Sequence, residues 1–272
     1  MHKRIITLVI GLTVLVASAA SAAPLKVITW NLHHGRDING GNTVTAQARW
    51  LAGEAPDIVL LQETEQFTSY GNFDHVGYIR TELQRLTGRT YYAFWSNDSG
   101  VASGRGQGTA ILSVFRLQSV EARALAHGRA VTMANVEVLP SRVVGLFTTH
   151  LASWTGFDNQ RVTQVAELIY WLTTRGSKVR LMGGDWNATP GSLPLAPLHH
   201  FYSDVYKKAK SAGVFQGPDD TRPVYQSDSV VGRIDAIFLG KAWPSWMTLT
   251  AVEHVNTGLS DHYPVVAVFD VR

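Results

Sequence analysis

The chain has no cysteine, which excludes disulfide staples, thiolate metal sites and a cysteine nucleophile. Charge is scarce as well: Asp, Glu, Lys and Arg make up 17% of the 272 residues, against about 25% in an ordinary soluble domain. Neither a GxSxG elbow nor an HExxH helix occurs, so serine-hydrolase and zincin chemistry lack their usual scaffolds. There is no low-complexity tract and no repeat with a period of about 20 to 50 residues. What is abundant is apolar surface. Hydrophobic residues reach 45%, with eight Trp, enough to bury a large core and to exclude a disordered, collagenous or coiled-coil chain.

The basic excess is small and unevenly placed. Lys+Arg number 24 against 21 Asp+Glu, a net charge of +3. Two of the cations, Lys3 and Arg4, stand before the apolar run Ile5 to Val16, which leads into ASAASAA ending at Ala23. A basic start, a short apolar stretch and a small-residue site form a secretory signal peptide over residues 1–22. The run is too short to span a bilayer, which needs about 20 residues. The expected product is a secreted or periplasmic protein with 22 basic against 21 acidic groups, so overall charge gives no support to a nucleic-acid partner.

Residues 23–272 read as one domain, because no linker interrupts them. The Gly-rich stretch Ser99 to Gly108 and the stretch Gly213 to Pro223 are local loops, each soon followed by another apolar run. Runs rich in β-branched and aromatic residues predict strands at 26–30, 57–61, 90–95, 109–115, 131–138, 143–149, 179–182, 234–239 and 265–269. Helical spacing is clearest over Asn159 to Arg175, where Val162, Val165, Ala166, Leu168, Ile169 and Leu172 share a face and Gly176 closes the end. Weaker helices fit Thr43 to Gly53 and Gly77 to Thr87. Strands alternate with helices early and follow one another in the middle, which predicts an α/β fold: a layered sandwich of mixed sheets with helices packed outside.

The informative feature is where the apolar runs stop. KVITW stops at Asn31, DIVLLQ at Glu63, VVGLFTT at His150, and VRLMGG at Asp185, with Asn187 two residues on. In open α/β sheets, ligands bind at the carboxyl ends of strands. RIDAIFL places Asp235 inside an apolar strand, where a carboxylate requires a partner. GLSDHYPVVAVF places Asp261 and His262 just ahead of the last strand. Taken singly, each has a plain structural reading as a turn residue, a loop acid, an N-cap or a hydrogen-bonded histidine. Together they make four acids, two Asn and two His.

These segments resemble the endonuclease/exonuclease/phosphatase superfamily of metal-dependent phosphoesterases. TWNLHHG, PDIVLLQETE, GQGTAILS, TTHLAS, GGDWNATPGS, RIDAIFL and GLSDHYPV occur in the family's order across the whole chain after the signal segment. The resemblance implies a four-layer sandwich, two packed β-sheets flanked by helices, and divalent-metal phosphoester hydrolysis. It makes Glu63 the main metal ligand with Asn31 and Asp261 beside it. Oxygen donors without thiolates suit Mg²⁺, or else Mn²⁺ or Ca²⁺. Asp235 matches the acid that orients His262 as general base. Asp185 and Asn187 match the pair that positions the nucleophile and the phosphoryl oxygens, and His150 matches the residue that contacts a phosphate oxygen or the leaving group.

Arg105 and Gln107 lie beside an active-site strand and are candidates for substrate contact. The Gly104 to Gly108 stretch precedes a strand, so it is not a dinucleotide loop. His33 or His34, next to Asn31, is a further candidate ligand. Arg161 reads as a helix-surface or salt-bridging residue, Trp154 as a pocket wall and Trp186 as core. The expected partner is a phosphodiester, either nucleic acid or a phospholipid or small phosphoester, handled by a monomer with no stable protein partner. A nuclease should line a groove with cations and stacking groups, whereas a lipid enzyme should expose a hairpin such as Trp243 to Trp246. A non-catalytic binding module should have lost part of the polar set, and none of it is missing.

Overall fold

The computed structural model describes residues 23–175, 178–222 and 230–272. The expected signal segment 1–22, Gly176 at the expected helix end and Pro223 lie outside the described residues. Seven strands form one sheet: β1 (Ala23–Asn31), β2 (Ile58–Gln66), β3 (Tyr92–Asn97), β4 (Gly106–Ser113), β10 (Phe215–Gln216), β12 (Met247–His254) and β13 (Val265–Val271), in the order β10-β12-β13-β1-β2-β4-β3. The second sheet has β5 (Gln118–Leu125), β6 (Arg129–Leu139), β7 (Arg142–His150), β8 (Val179–Asp185), β9 (Tyr202–Asp204) and β11 (Asp235–Gly240), in the order β5-β6-β7-β8-β11-β9. The pairs β1/β2, β7/β8 and β10/β12 are parallel and the other ladders antiparallel, so both sheets are mixed.

The apolar runs are continuous, without the alternation of a half-exposed strand, because both faces of the central strands are covered. Val27, Ile58 and Leu60 meet Val136, Val144, Leu146, Leu181 and Ile237 between the sheets. Their chain neighbours Ile28, Val59 and Leu61 face outward onto Leu51 of α1 (Val44–Glu54) and Ile79 and Leu83 of α2 (His75–Thr87). On the far side, Val131, Met133, Phe147, Met182 and Phe238 pack under Val165, Leu168, Trp171 and Leu172 of α3 (Asp158–Thr173). The layers therefore run helix, sheet, sheet, helix. Among the described residues no helix is long and apolar enough to cross a membrane.

Five elements escape the sequence pattern: the short strands β9 and β10, and β5, α4 and β12. The edge strand β5 is mostly exposed and so carries no apolar periodicity. α4 (Val205–Ala212) has only Val205 and Ala209 buried, yet its ends are marked. Asp204 accepts a hydrogen bond from the Tyr206 amide, and Gly213 closes the helix in the left-handed region. β12 follows the Trp243 to Trp246 segment, where both rings are half-buried. Trp243 packs 6.0 Å from Phe269 and donates its indole N–H to the Met247 carbonyl at 2.6 Å, so this segment is not the exposed pair that a lipid-facing hairpin requires.

His254, at the end of β12, stacks on Tyr206 at 5.4 Å and donates from Nδ1 to the Pro218 carbonyl at 2.9 Å, while Nε2 is buried without a partner. Burial pushes its pKa down to about 4, against the opposing pull of the Pro218 carbonyl. The fold holds the neutral ring, so below pH 6.5 the unfolded chain takes up a proton that the folded chain refuses. Between pH 6.5 and 4 this removes about 3 kcal/mol of stability. Urea unfolding of His254→Leu should show a pH 7 to pH 4 stability difference smaller than wild type by that amount, and an unchanged difference would refute it.

Candidate active site

The polar strand ends converge at one end of the sandwich, on the seam between the sheets. In the first sheet Asn31 closes β1 beside Gln62 of β2. In the second, His150 pairs with Asp185 in the parallel β7/β8 ladder, and Asp235 pairs with Asp185 across β8/β11. Register alone thus places three of the site side chains on adjacent strands. The sheets approach closely here because position 183 is glycine: a Cβ there would lie 2.6 Å from Leu60 Cδ1 and 2.8 Å from Thr29 Cβ.

Glu63 reaches the seam through a bulge. Leu61 pairs with Ala110 but Thr64 with Gly108, so β2 carries one extra residue, and Glu63 adopts a left-handed φ of 50°. A non-glycine residue in that region costs on the order of 1–3 kcal/mol and is retained where the surroundings enforce it, which is common at functional sites. Asn187 has a similar φ of 46°. Asn31 Nδ2 donates both to Glu63 Oε1 at 3.0 Å and to Asp185 Oδ2 at 2.9 Å, which ties the two sheets together. Asp185 Oδ1 accepts from the Asn187 amide at 2.9 Å, and Asn187 Nδ2 donates to the Leu151 carbonyl.

His262 and Asp235 form a dyad, with Nδ1 2.8 Å from Asp235 Oδ2. The same oxygen accepts from Thr221 Oγ1 at 2.7 Å, and Thr221 Oγ1 accepts from the Asp235 amide. The His262 backbone is held by Ser260 Oγ, itself donating to the Asn31 carbonyl, and by the Trp30 indole N–H on the His262 carbonyl. Nε2 therefore faces Asp185 Oδ2 at 3.7 Å and Asp261 Oδ1 at 3.9 Å. Burial opposes a charge on the ring, but Asp235 and Asp185 overcome it and push its pKa up to about 10. Asp185 is itself pushed up to about 7 by burial, partly offset by His262.

His150 is buried, with neither ring nitrogen hydrogen-bonded among the described residues and its Nε2 3.4 Å from Asp185 Oδ2 and 3.8 Å from Glu63 Oε1. Burial, reinforced by the positive charges of Arg129 and His262, drives its pKa well below the usual histidine range. It is a neutral ring that can donate one hydrogen bond. Asp261 is clamped by Arg222, which donates from Nη2 at 2.8 Å and Nε at 3.2 Å to Oδ2, leaving Oδ1 buried without a hydrogen-bond partner among the described residues. Burial raises the cost of its charge, yet His262, His33 and Arg222 hold its pKa below the usual carboxylate range.

Donor atoms of Glu63, His150 and Asp185, and separately of Asp185, Asp235 and His262, lie within 4.8 Å of one another, close enough to hold a metal ion. The orphaned Asp261 Oδ1 and the oxygen-rich donor set fit a hard divalent cation. Eight of the ten residues picked from the sequence are thus brought together. Arg105 and Gln107 are not: Arg105 is exposed and bonds the Phe67 carbonyl at 2.8 Å and Asn72 Oδ1 at 3.1 Å, and Gln107 sits opposite Glu65 in the β2/β4 ladder. Arg161 is buried and braces the loop after His150 through the Ala152 and Trp154 carbonyls. Trp154 itself is 57% exposed, and Trp186 is core, 5.1 Å from Phe238.

Sequence reading missed Thr221, Arg129 and Arg222. Arg129 lies at the start of β6, paired with Asp98 at 3.1 Å and reaching Ser153 Oγ. Burial, against the pull of Arg129, lifts Asp98 to about 6. None of the three stands at the end of an apolar run or within one of the short motifs that marked the others.

Solved structures show the same fold. An endonuclease/exonuclease/phosphatase family protein from Leptotrichia buccalis C-1013-b matches with a TM-score of 0.69 at 18% identity, over 89% of this chain and 98% of that one. The human Nocturnin catalytic domain with bound sulfate anion matches at 0.67 and 20%, over 92% and 95%. D. rerio TDP2 complexed with single strand DNA product matches at 0.65 and 20%, over 91% and 99%. No curated protein sequence matches the chain. The Endonuclease/Exonuclease/phosphatase family model matches residues 28–262. That span opens inside β1, closes on His262 and takes in all eight converging side chains, so the chain belongs to the endonuclease/exonuclease/phosphatase family of divalent-metal-dependent phosphoester hydrolases.

Proposed function

We propose that this protein is an exported phosphodiesterase in which His262 acts as general base on water and nucleic acid is the substrate. The observation that carries the reading is the Asp235–His262 dyad, aimed by two hydrogen-bonded shells at Asp185, Asp261 and the Glu63–Asn31 pair. With Nδ1–H donating to Asp235, His262 presents Nε2 to the seam and can accept a proton there. Its high basicity comes partly from Asp185, so neutralising the neighbouring acids lowers it toward the range in which a base is both free and effective. Neutral His150 donates a hydrogen bond to a phosphoryl oxygen, the role its depressed pKa favours over protonation of the leaving group. Asp185 orients the water, and Asn187 fixes the loop between the strand end and Leu151.

Glu63, Asp185, Asp261 and Asn31 would hold the cation, Mg²⁺ by preference, with Mn²⁺ or Ca²⁺ as substitutes. When bound, it supplies neutralisation of the charge that builds on the phosphoryl group. Export rests on Lys3, Arg4, the apolar run to Val16 and the Ala20-Ser21-Ala22 site. Nucleic acid is favoured over lipid by the exposed rings of Trp154 and Phe67, which suit base stacking, and by the half-burial of Trp243 and Trp246. The DNA product held by the D. rerio neighbour supports the same choice.

The test is hydrolysis by the purified protein of single- and double-stranded DNA, RNA, sphingomyelin, inositol phosphates and bis(p-nitrophenyl) phosphate, with Mg²⁺, Mn²⁺ or EDTA. Nucleic acid should be cleaved with divalent cation and spared with EDTA, and protein recovered outside the cytoplasm should begin at Ala23. Activity that survives EDTA, or lipid cleavage with nucleic acid left intact, would overturn the reading.

A further inference from the structure

Glu65 is a charged residue only 2% exposed, and the mechanism above does not use it. Its Oε1 lies 2.6 Å from His34 Nδ1. The opposite nitrogen of the same ring, Nε2, lies 3.1 Å from Glu63 Oε2. Ionised carboxylates only accept, so each contact calls for an N–H from the ring, and a protonated imidazole supplies both. We infer that His34 is a positioning residue, a brace between Glu65 and Glu63 that fixes the direction in which Glu63 presents its carboxylate. The inference rests on the proposed function, since it assigns Glu63 to the cation.

The turn that carries His34 is built to hold it still. His33 and His34 both have left-handed backbones, φ 48° and 56°, a cost that persists only under enforcement. The His33 amide donates to Asn31 Oδ1 at 2.9 Å, the Gly35 amide to the Leu32 carbonyl at 2.9 Å, and Gln47 Nε2 to the same carbonyl at 2.9 Å. Gly35, with φ 76°, admits no side chain, because a Cβ would lie 2.2 Å from Val44 Cγ2. The imidazole stacks on Tyr70 at 4.2 Å with the planes 13° apart, and Arg36 covers the Tyr70 ring at 4.9 Å.

Glu63 is consequently held at both oxygens, Oε1 by Asn31 and Oε2 by His34. Its backbone is strained at the bulge, so without these two contacts little else directs the carboxylate. Residues that orient a ligand in this way typically contribute about 10- to 100-fold in metal affinity.

The experiment is calorimetric titration of the full chain with Mn²⁺, run beside hydrolysis of bis(p-nitrophenyl) phosphate. Glu65→Ala and His34→Ala should each weaken Mn²⁺ binding by about tenfold or more. Each should lower kcat while leaving KM within about twofold. The double variant should be no weaker than either single, because the two residues act as one unit. Glu65→Gln keeps an acceptor for His34 Nδ1 and the packing of the site, and should stay within about threefold of wild type. If an alanine variant does not fold, His34→Gln, which can reach only one of the two acids, should show the loss in its place. Folded variants that bind Mn²⁺ like wild type, or single losses that multiply in the double, overturn the brace. So would a much larger loss in His34→Gln with Glu65→Ala silent, which would make His34 a direct ligand. A wild-type chain that neither binds Mn²⁺ nor hydrolyses any phosphodiester would count against the proposed function itself.

Discussion

His262→Ala should lower kcat on a phosphodiester by about 10²- to 10⁴-fold, the range that removal of a general base typically costs. The variant should fold, because the acid behind the ring keeps a partner: Asp235 Oδ2 still accepts from Thr221 Oγ1 at 2.7 Å. Asp235→Asn should approach the same loss for a different reason. The amide preserves volume but no longer demands Nδ1–H, so the ring is free to take the other tautomer and turn a proton toward the nucleophile. The metal-free protein gives a second readout. A ring whose folded pKa stands near 10 contributes stability that is complete below 6.5 and lost as the pH rises through 10. Wild type should therefore lose stability across that alkaline window, and His262→Ala should lack this part of the slope. A folded His262→Ala protein retaining a tenth or more of wild-type kcat at saturating Mg²⁺ would sink the assignment.

Asp261→Ala should destabilise the fold by about 3 kcal/mol, because it removes the charged acceptor of two N–H groups of the buried Arg222 guanidinium. For a chain of this size that corresponds to a drop in Tm of roughly 6–12 °C. Arg222 is 8% exposed and spends two N–H groups on Asp261 Oδ2. Arg222→Met together with Asp261→Ala should recover part of the stability, since the cation and this carboxylate are removed together, yet should stay inactive, because the free Oδ1 on the seam is gone. Asp261 also contributes to acid sensitivity. With its pKa held below the ordinary carboxylate value, its stabilisation is present above that value and is lost as the pH falls through the folded one. Equal Tm values for wild type and Asp261→Ala, or a double variant as unstable as the single, would refute the clamp.

The site was legible where a local rule marked it. Asn31, His150 and Asp185 end apolar strands, and Asp235 interrupts one, so strand periodicity pointed to them without any contact being known. Glu63 was marked the same way, but the reason it reaches the seam was not: the bulge that turns it exists only in the pairing of Leu61 with Ala110 and Thr64 with Gly108. Arg222 and Thr221 sit in a loop with no periodicity, and their partners Asp261 and Asp235 lie 39 and 14 residues away. The helix α4 shows an intermediate case. Its caps are written in Asp204 and Gly213, but its apolar face is two residues wide, because only part of it touches the sheet.

By itself the sequence determined the family and the mixed α/β layering and pointed to eight polar residues in and around the strand ends, because hydrophobic periodicity and short motifs are local properties of the chain. Tertiary structure alone decided which of those residues meet and how each is held. It turned His262 toward Asp185, gave Asp261 an arginine, left His150 neutral, placed Arg105 outside the cluster and joined His34 to Glu63 and Glu65. Those outcomes depend on strand register, on one extra residue in β2 and on desolvation at the seam between the sheets, and each of these arises only when segments distant in sequence are packed together.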